Sequence, residues 1–285
     1  MVNLLLTHHS FFDIWGPIPL FIAIIFGYLF WKKMIKSPYY DISNSQIRYF
    51  YSAMAIFYIV KGSPFALIAS HYLFSAHAVQ VAILLFVVIP LVLLSFPKEF
   101  YRSILWNHRM KFTLKIISHP WLNAFLFNTL LTLYFIPYFF NMMQGNMLLI
   151  NSAQFILVVF GFFMWWIIIS PLPEVSKIEN LTKVAYIFFT SVLLLPISFF
   201  LLVILKVHYP YYDAVSEQVL PVLSTIYDQQ LGGGLLKITQ LSAYGYALLK
   251  IILHWGREEE NMEGQIDDES IRVVQGVVIH LDNKK

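Results

Sequence analysis

The sequence contains no cysteine. This absence excludes disulfide bonds, Cys-x-x-Cys redox exchange and metal sites built on thiolates. A soft metal ion such as Cu(I) would then have to be bound through imidazole nitrogen or methionine sulfur. The chain has 9 histidines and 9 methionines, so the search for a soft-metal site is confined to those two residue types.

Charged side chains are also scarce. They make up 12% of the chain, whereas hydrophobic residues make up 59%, and the mean hydropathy is +0.68. Soluble domains average about 25% charged and about 45–50% apolar residues. The composition therefore predicts an integral membrane protein in contact with a lipid bilayer. Its apolar runs are continuous, without the alternation of β-barrel strands, and so predict helical spans.

Several motifs that carry chemistry are missing. The sequence has no P-loop, no dinucleotide-binding fingerprint and no HExxH motif. No predicted span carries Asp or Glu in its middle, which disfavours metal-dependent prenyl transfer, acidic proton relays and ion-coupled transport. We therefore predict that the protein is not an enzyme.

The apolar windows define the architecture, because a bilayer core of about 30 Å needs about 20 apolar residues per helix. They predict an all-α polytopic membrane bundle with about seven transmembrane helices. The second window is the weakest, since Lys61 and Gly62 end it, and Ser63 followed by Pro64 predicts the cap and first turn of a further helix. The windows are Pro17 to Trp31, Tyr49 to Lys61, Tyr72 to Leu94, Leu122 to Met142, Leu148 to Ile169, Val184 to Leu205 and Leu235 to Trp255.

Basic residues concentrate in two links between these windows, and loops rich in Lys and Arg remain in the cytoplasm. We therefore predict a multi-pass protein of the cell membrane with its amino terminus outside and its carboxyl terminus in the cytoplasm. Residues 1–256 would form the transmembrane domain and residues 257–285 a cytoplasmic tail. Loop basicity accounts for the net charge of +3, so no nucleic-acid partner is predicted. The basic residues are Lys32, Lys33, Lys36 and Arg48 in the first link, and Lys98, Arg102, Arg109, Lys111 and Lys115 in the second.

Polar side chains interrupt the start of the third predicted span, in SHYLFSAHAVQ (residues 70–80). In a regular helix His71 and His77 lie about 9 Å apart along the axis and about 120° apart around it, so this pair alone does not chelate an ion. Ser70, His77 and Gln80 would share one polar stripe, which must face protein or water rather than lipid. Two interpretations stay open, hydrogen bonding between helices and a functional site.

The predicted orientation places four segments in the outer compartment: residues 1–16, 61–70, 141–147 and 206–234. These segments hold further candidate ligands for Cu(I). Surface histidines and gap-filling methionines are the alternative interpretation. The additional candidates are His8, His9, Met142, Met143, Met147 and His208.

The order of several motifs resembles the CtaG family of cytochrome c oxidase assembly factors. The most specific blocks are FSAH at residues 74–77 and DQQLGGG at residues 228–234. The matching stretches span most of the chain. They are KGSP (61–64), HYLFSAHAVQ (71–80), VVIPLVLLSFP (87–97), HPWLNAFLF (119–127), WWIIISPLPE (165–174) and YDQQLGGGLLK (227–237).

The resemblance implies a membrane protein needed to form active cytochrome c oxidase, acting at a copper site on the outer face of the membrane. Copper is then the expected cofactor, and the oxidase subunits are the expected partners. The family commonly has Met after the second histidine and His or Met four residues after it, whereas this chain has Ala78 and Val81. A small-solute or metal transporter is the alternative, and it would need a hydrated path across the bundle. The residues at matching positions are Lys61, Pro64, His71, His77, Gln80, Asp228, Gln229, Gly232, Gly233 and Gly234.

The glycine run has a physical interpretation of its own. Gly232, Gly233 and Gly234 predict a flexible or positive-φ turn directly before the last predicted span. Asp228, just before the run, could cap a helix, pair with a lysine (Lys61 or Lys237) or accept a hydrogen bond from a histidine.

Overall fold

Helices account for nearly all of the regular structure. The computed structural model describes residues 9–104, 119–172, 178–213, 222–266, 271–274 and 277–280. The helices are α1 (Phe11–Ile14), α2 (Pro17–Phe30), α3 (Asn44–Gly62), α4 (Pro64–His71), α5 (Phe74–Ile83), α6 (Ile89–Ser95), α7 (Lys98–Ile104), α8 (Pro120–Phe135), α9 (Pro137–Met143), α10 (Met147–Ile169), α11 (Asn180–Leu193), α12 (Leu195–Val203) and α13 (Thr225–Ile266). Two π-helices (Trp31–Ile35 and Leu84–Val88) extend α2 and join α5 to α6, and Pro210–Tyr212 is a 3₁₀ turn.

The helices are long and apolar enough to form a membrane bundle, which confirms the predicted fold class. By length and composition, the described residues contain four candidate spans, or up to six if each of two bent helix pairs is one span. The four are Pro17–Ile35, Phe74–Ser95, Met147–Ile169 and Asn180–Val203. The bent pairs are Asn44–Gly62 with Pro64–His71, at 47°, and Pro120–Phe135 with Pro137–Met143, at 70°.

Six of the predicted windows coincide with these spans and bent pairs. The last window, Leu235 to Trp255, lies within α13 but is not among the candidate spans of the described chain. A count of seven spans and the orientation of both termini therefore remain predictions. Arg109, Lys111 and Lys115, part of the charge asymmetry, lie outside the described residues.

The bend between α3 and α4 has a local cause that the sequence predicted. Ser63 leaves the helical conformation, with φ −101° and ψ 173°, and its hydroxyl accepts a hydrogen bond from Phe65 N at 3.2 Å. Pro64 occupies the first turn of α4, where its missing N–H leaves no helical hydrogen bond unmade. The predicted cap and first-turn pair is confirmed.

The expected polar stripe of Ser70, His77 and Gln80 is wrong, because no single helix contains all three residues. Tyr72 and Leu73 leave the helical conformation between α4 and α5. Ser70 is on the α4 side of this break, and its hydroxyl donates to the α4 carbonyls Ala66 O and Leu67 O at 2.9 and 3.1 Å. His77 and Gln80 remain together on α5, where both are buried.

The glycine run does not form a turn, so that expectation is also wrong. Gly232, Gly233 and Gly234 lie inside the continuous helix α13. A Cβ at Gly232 would come within 2.7 Å of the Phe74 ring, and one at Gly233 within 2.5 Å of Leu201 Cβ. The glycines therefore let α5 and α12 pack directly on the backbone of α13.

Beyond the bundle, the chain ends in a short hairpin. Strands β1 (Ile271–Val274) and β2 (Val277–His280) pair antiparallel, with Val274 opposite Val277. Helix α13 continues to Ile266, so the predicted boundary at residue 256 falls within a helix. The division into a transmembrane domain and a cytoplasmic tail remains a prediction.

Candidate functional site

The described parts of the four segments predicted to share one compartment lie at one end of the bundle, which we name the histidine end. Gly16 N donates to Gly62 O at 2.9 Å, joining the start of the chain to the end of α3. The Asn141 side chain donates to His208 O at 2.9 Å, and His208 N donates to the side chain of Gln229 at 3.1 Å. The grouping agrees with the prediction, although the compartment that this end faces remains a prediction.

Two of the predicted metal ligands, His9 and His71, lie together at this end. Their ring centroids are 5.7 Å apart. Nε2 of His9 is 2.8 Å from the hydroxyl of Tyr72, and Nδ1 of His71 is 3.2 Å from the hydroxyl of Tyr211. Each ring thus has one nitrogen held by a tyrosine and one that is not. His8 precedes this pair and lies outside the described residues.

A carboxylate stands beside the histidine pair. Asp13 forms a capping box with Ser10, whose backbone N–H and hydroxyl donate to Asp13 Oδ2 at 2.9 and 2.7 Å. The Ser10 hydroxyl lowers the pKa of Asp13, as do the Ser10 backbone and, more weakly, His9 and His71. The capping box also gives α1 its fixed start, which holds His9 next to α4.

The three methionines flank the turn between α9 and α10, at the same end. Met142 and Met147 are 59% and 79% exposed, whereas Met143 packs against the core. Gly145 supplies the turn, with φ +89°. Gln144 connects this turn to the 3₁₀ segment through a 3.4 Å hydrogen bond to Tyr212, the neighbour of the tyrosine that contacts His71.

His77 lies deeper in the bundle and is 2% exposed. Its Nε2 is 2.8 Å from the hydroxyl of Tyr134, and its ring meets Phe140 edge-on at 5.2 Å. Its Nδ1 is buried and makes no hydrogen bond of ordinary geometry with a described residue, although the ring lies near the backbone of Ala69. The prediction that this imidazole hydrogen-bonds within the bundle rather than facing lipid is confirmed.

A chain of hydrogen bonds links His77 to Lys61. The Gln154 amide donates to the Tyr134 hydroxyl at 2.8 Å, and the Lys61 ammonium donates to Gln154 Oε1. Lys61 Nζ is also 3.4 Å from Gln80 Oε1, and Gln80 Nε2 donates to a carbonyl of α3 at 2.6 Å. The network joins α3, α5, α8 and α10 near the histidine end.

Asp228 caps α5 from a distant part of the chain, which settles the choice among its expected roles. Its carboxylate accepts from Phe74 N at 2.7 Å, from Ser75 N at 3.1 Å and from the Ser75 hydroxyl. It therefore accepts hydrogen bonds from the first free N–H groups of α5, and its negative charge offsets the partial positive charge at that end of the helix. Gln229, which is fully buried and follows Asp228, accepts a hydrogen bond from the backbone N–H of His208 and so holds the backbone at that residue.

Sequence reasoning missed three residues that complete the site: Gln154, Tyr72 and Tyr211. Gln154 was detectable as a lone amide in an otherwise apolar span. The two tyrosines gave no such signal, because tyrosine is common at membrane interfaces for its amphipathic ring alone. Only the fold shows that each hydroxyl holds one histidine.

Within the described ranges, no group of three or more His, Cys, Asp or Glu residues is placed to hold a metal ion. The predicted copper ligands therefore divide into the exposed pair His9 and His71, the methionines at the neighbouring turn and the buried His77. The described residues do not bring these three sets together as one closed coordination site. Their role in metal binding stays a prediction.

Comparison with known proteins places this chain in a family. The family model of the cytochrome c oxidase caa3 assembly factor matches residues 25–258. That range contains Lys61, His71, His77 and Asp228 but not His9. No curated protein and no solved structure matched the chain. The protein belongs to the Caa3_CtaG family of cytochrome c oxidase caa3 assembly factors.

Proposed function

We propose that this protein assists copper-site maturation of a caa3-type cytochrome c oxidase, with copper as cargo rather than as a resident cofactor. It acts without catalysing a reaction, on the outer face of the cell membrane. The observation that carries the proposal is the paired imidazoles of His9 and His71 at the histidine end, 5.7 Å apart between ring centroids. Imidazole nitrogen is a ligand for copper, and this chain lacks the thiolates that Cu(I) otherwise favours.

The tyrosine contacts suit this role. When a ring N–H donates to a neighbouring oxygen, the other ring nitrogen keeps its lone pair for a metal. In the tautomers that would suit copper, His9 Nε2 donates to Tyr72 and His71 Nδ1 donates to Tyr211. The nitrogens left for copper are then His9 Nδ1 and His71 Nε2. The nearby Asp13 carboxylate favours a cation at this place.

A metal site with only two protein ligands is incomplete. Such a site suits a protein that passes copper to another protein. A copper ion held by two protein nitrogens keeps positions open for ligands of the recipient protein. The exposed side chains of Met142 and Met147 are candidate additional ligands at the same end. His8, which directly precedes His9 in the sequence, is a further candidate. The transporter alternative is not supported, because the family to which the chain belongs consists of oxidase assembly factors.

We expect the purified full-length protein to bind about one Cu(I) per chain under anaerobic reducing conditions. Replacing both His9 and His71 with asparagine should weaken binding about tenfold or more, since each loses its imidazole ligand. Affinity is measured by competition with a coloured Cu(I) chelator.

His119→Asn is the matched control, because this exposed histidine lies outside the histidine end, at the start of α8. It should bind Cu(I) as tightly as the unaltered protein. Equal affinity for the double variant and the unaltered protein would overturn the assignment of the histidine pair.

A further inference from the structure

Asp13 is a carboxylate beside the histidine pair, and its charge acts on both rings. The backbone N–H of Ser10, the residue after His9, donates to Asp13 Oδ2 at 2.9 Å, so the carboxylate lies close to the backbone at His9. Both His9 and His71 lower the pKa of Asp13. The interaction is mutual, so the carboxylate stabilises positive charge at the place where the two imidazoles meet.

Asp13 does not complete a set of three metal ligands with the two histidines. No such set of three His, Cys, Asp or Glu side chains occurs in the ranges that the structure describes. The carboxylate would therefore act on a copper ion held by His9 and His71 through its charge, without a bond to the metal.

The position of Asp13 is held by the contacts of the short helix α1. Ser10 donates to Asp13 Oδ2 through its backbone N–H at 2.9 Å and through its hydroxyl at 2.7 Å. The next residue, Ile14, is buried and packs in a cluster with apolar residues of α4. Because α4 ends at His71, the contacts that seat α1 also keep the carboxylate near both histidines.

Capping alone does not account for a charged residue at this position. Helix α3 begins with the same capping box, in which the neutral amide of Gln46 takes the place of the carboxylate. Ser43 donates to Gln46 Oε1 through its N–H at 3.0 Å and through its hydroxyl at 3.1 Å. Gln46 N donates back to Ser43 at 3.3 Å, the same distance as from Asp13 N to Ser10. An uncharged side chain thus makes the same cap in this chain, which leaves the charge of Asp13 for another role.

We propose that Asp13 determines which oxidation state of copper the histidine pair prefers, by shifting that preference toward Cu(II). The inference rests on the proposed function, because it takes His9 and His71 as the copper ligands. The Coulomb energy between a carboxylate and an ion is proportional to the charge of the ion. Cu(II) therefore gains about twice as much as Cu(I) from the same carboxylate. With Asp13 in place, the two imidazoles suit Cu(II) as well as Cu(I).

The test compares the affinities of the purified full-length protein for Cu(I) and Cu(II), with and without the carboxylate. Asp13→Asn removes the charge, while its amide oxygen can accept from Ser10 as that of Gln46 accepts from Ser43. We expect it to bind Cu(I) about threefold and Cu(II) about tenfold more weakly, since the loss grows with the charge of the ion. Cu(I) is measured anaerobically by competition with a coloured Cu(I) chelator, and Cu(II) in air by competition with glycine.

Two control variants distinguish the effect of the charge from the effect of the cap. Ser10→Ala removes the hydroxyl of the cap and keeps the carboxylate, so its affinities for the two ions should change equally. Glu99→Gln removes an exposed carboxylate from α7, which follows the span Phe74–Ser95 at its far end from the histidine pair. It should leave both affinities unchanged.

Salt gives a second readout, which a purely structural role would not change. Asp13 is exposed, so its charge is screened as the ionic strength rises. The deficit of Asp13→Asn in Cu(II) affinity should shrink between about 0.1 M and about 1 M potassium nitrate, a salt that adds no chloride ligand for copper.

The outcomes separate this inference from the proposed function. A loss of Cu(II) affinity in Asp13→Asn that exceeds the loss of Cu(I) affinity, and that salt diminishes, supports the role of Asp13. A loss of Cu(II) affinity no greater than that of Cu(I), or a difference that persists at high salt, would overturn this role and leave the copper proposal standing. Absence of copper binding by the unaltered protein would reject both.

Discussion

Replacing His77 with glutamine is expected to lower oxidase activity about tenfold to a hundredfold while the protein still accumulates in the membrane. Glutamine can keep a hydrogen bond to Tyr134, so the fold should persist. It cannot supply an imidazole nitrogen, and His77 Nδ1 is the buried ring nitrogen that makes no hydrogen bond of ordinary geometry in the described chain. An amide is a poor substitute if this nitrogen handles copper.

Tyr134→Phe is the control that distinguishes the role of His77 Nε2 from the role of His77 Nδ1. It removes the hydrogen bond to Nε2 and leaves the imidazole in place, so most of the activity should remain. His71→Gln should show a milder loss than His77→Gln, because His71 is exposed to water whereas His77 is buried. Activity is measured at matched membrane levels. Near-normal activity in His77→Gln would contradict this prediction and show that His77 has only a structural role.

Replacing Gly233 with alanine is expected to prevent normal accumulation of the protein. The new Cβ would lie 2.5 Å from Leu201 Cβ and 3.0 Å from Ser198 O, so α12 would have to move away from α13. Overpacking of this kind costs about 1–3 kcal/mol, and more where backbone must shift. The readouts are the level in membranes and the thermal unfolding midpoint in detergent.

Gly245→Ala controls for helix propensity in the same helix. A Cβ at Gly245 meets no atom within 4 Å, and alanine favours a helix over glycine by about 1 kcal/mol. The variant should therefore be as stable as the unaltered protein or more so. Equal unfolding midpoints for the two variants would contradict the packing role of Gly233.

Composition and local motifs predicted most of the helices but only one of the breaks between them. Ser63 and Pro64 marked the start of α4 because capping is a local property. The break at Tyr72 and Leu73 had no local signal. It depends on Asp228, 154 residues away from Phe74 in sequence, and a carboxylate that caps a helix from another helix is invisible to local patterns.

The glycine run shows how tertiary packing overrides a local preference. Three consecutive glycines before an apolar segment favour a turn in an isolated chain. In the bundle, their lack of side chains allows α5 and α12 to contact α13 closely, which makes the helical conformation the better one. The same limit applies to the candidate site, since spacing alone could not show that His9 would lie next to His71.

If this protein is required to mature a copper site of the caa3-type oxidase, as we propose, that oxidase should lack copper when the protein is absent. The most direct measurement is the copper content and activity of that oxidase purified from a strain lacking the protein and from the same strain with the gene restored. We predict that the oxidase from the deletion strain is depleted of copper and inactive, and that the restored gene recovers both. Equal copper content and activity in the two preparations would contradict the claim.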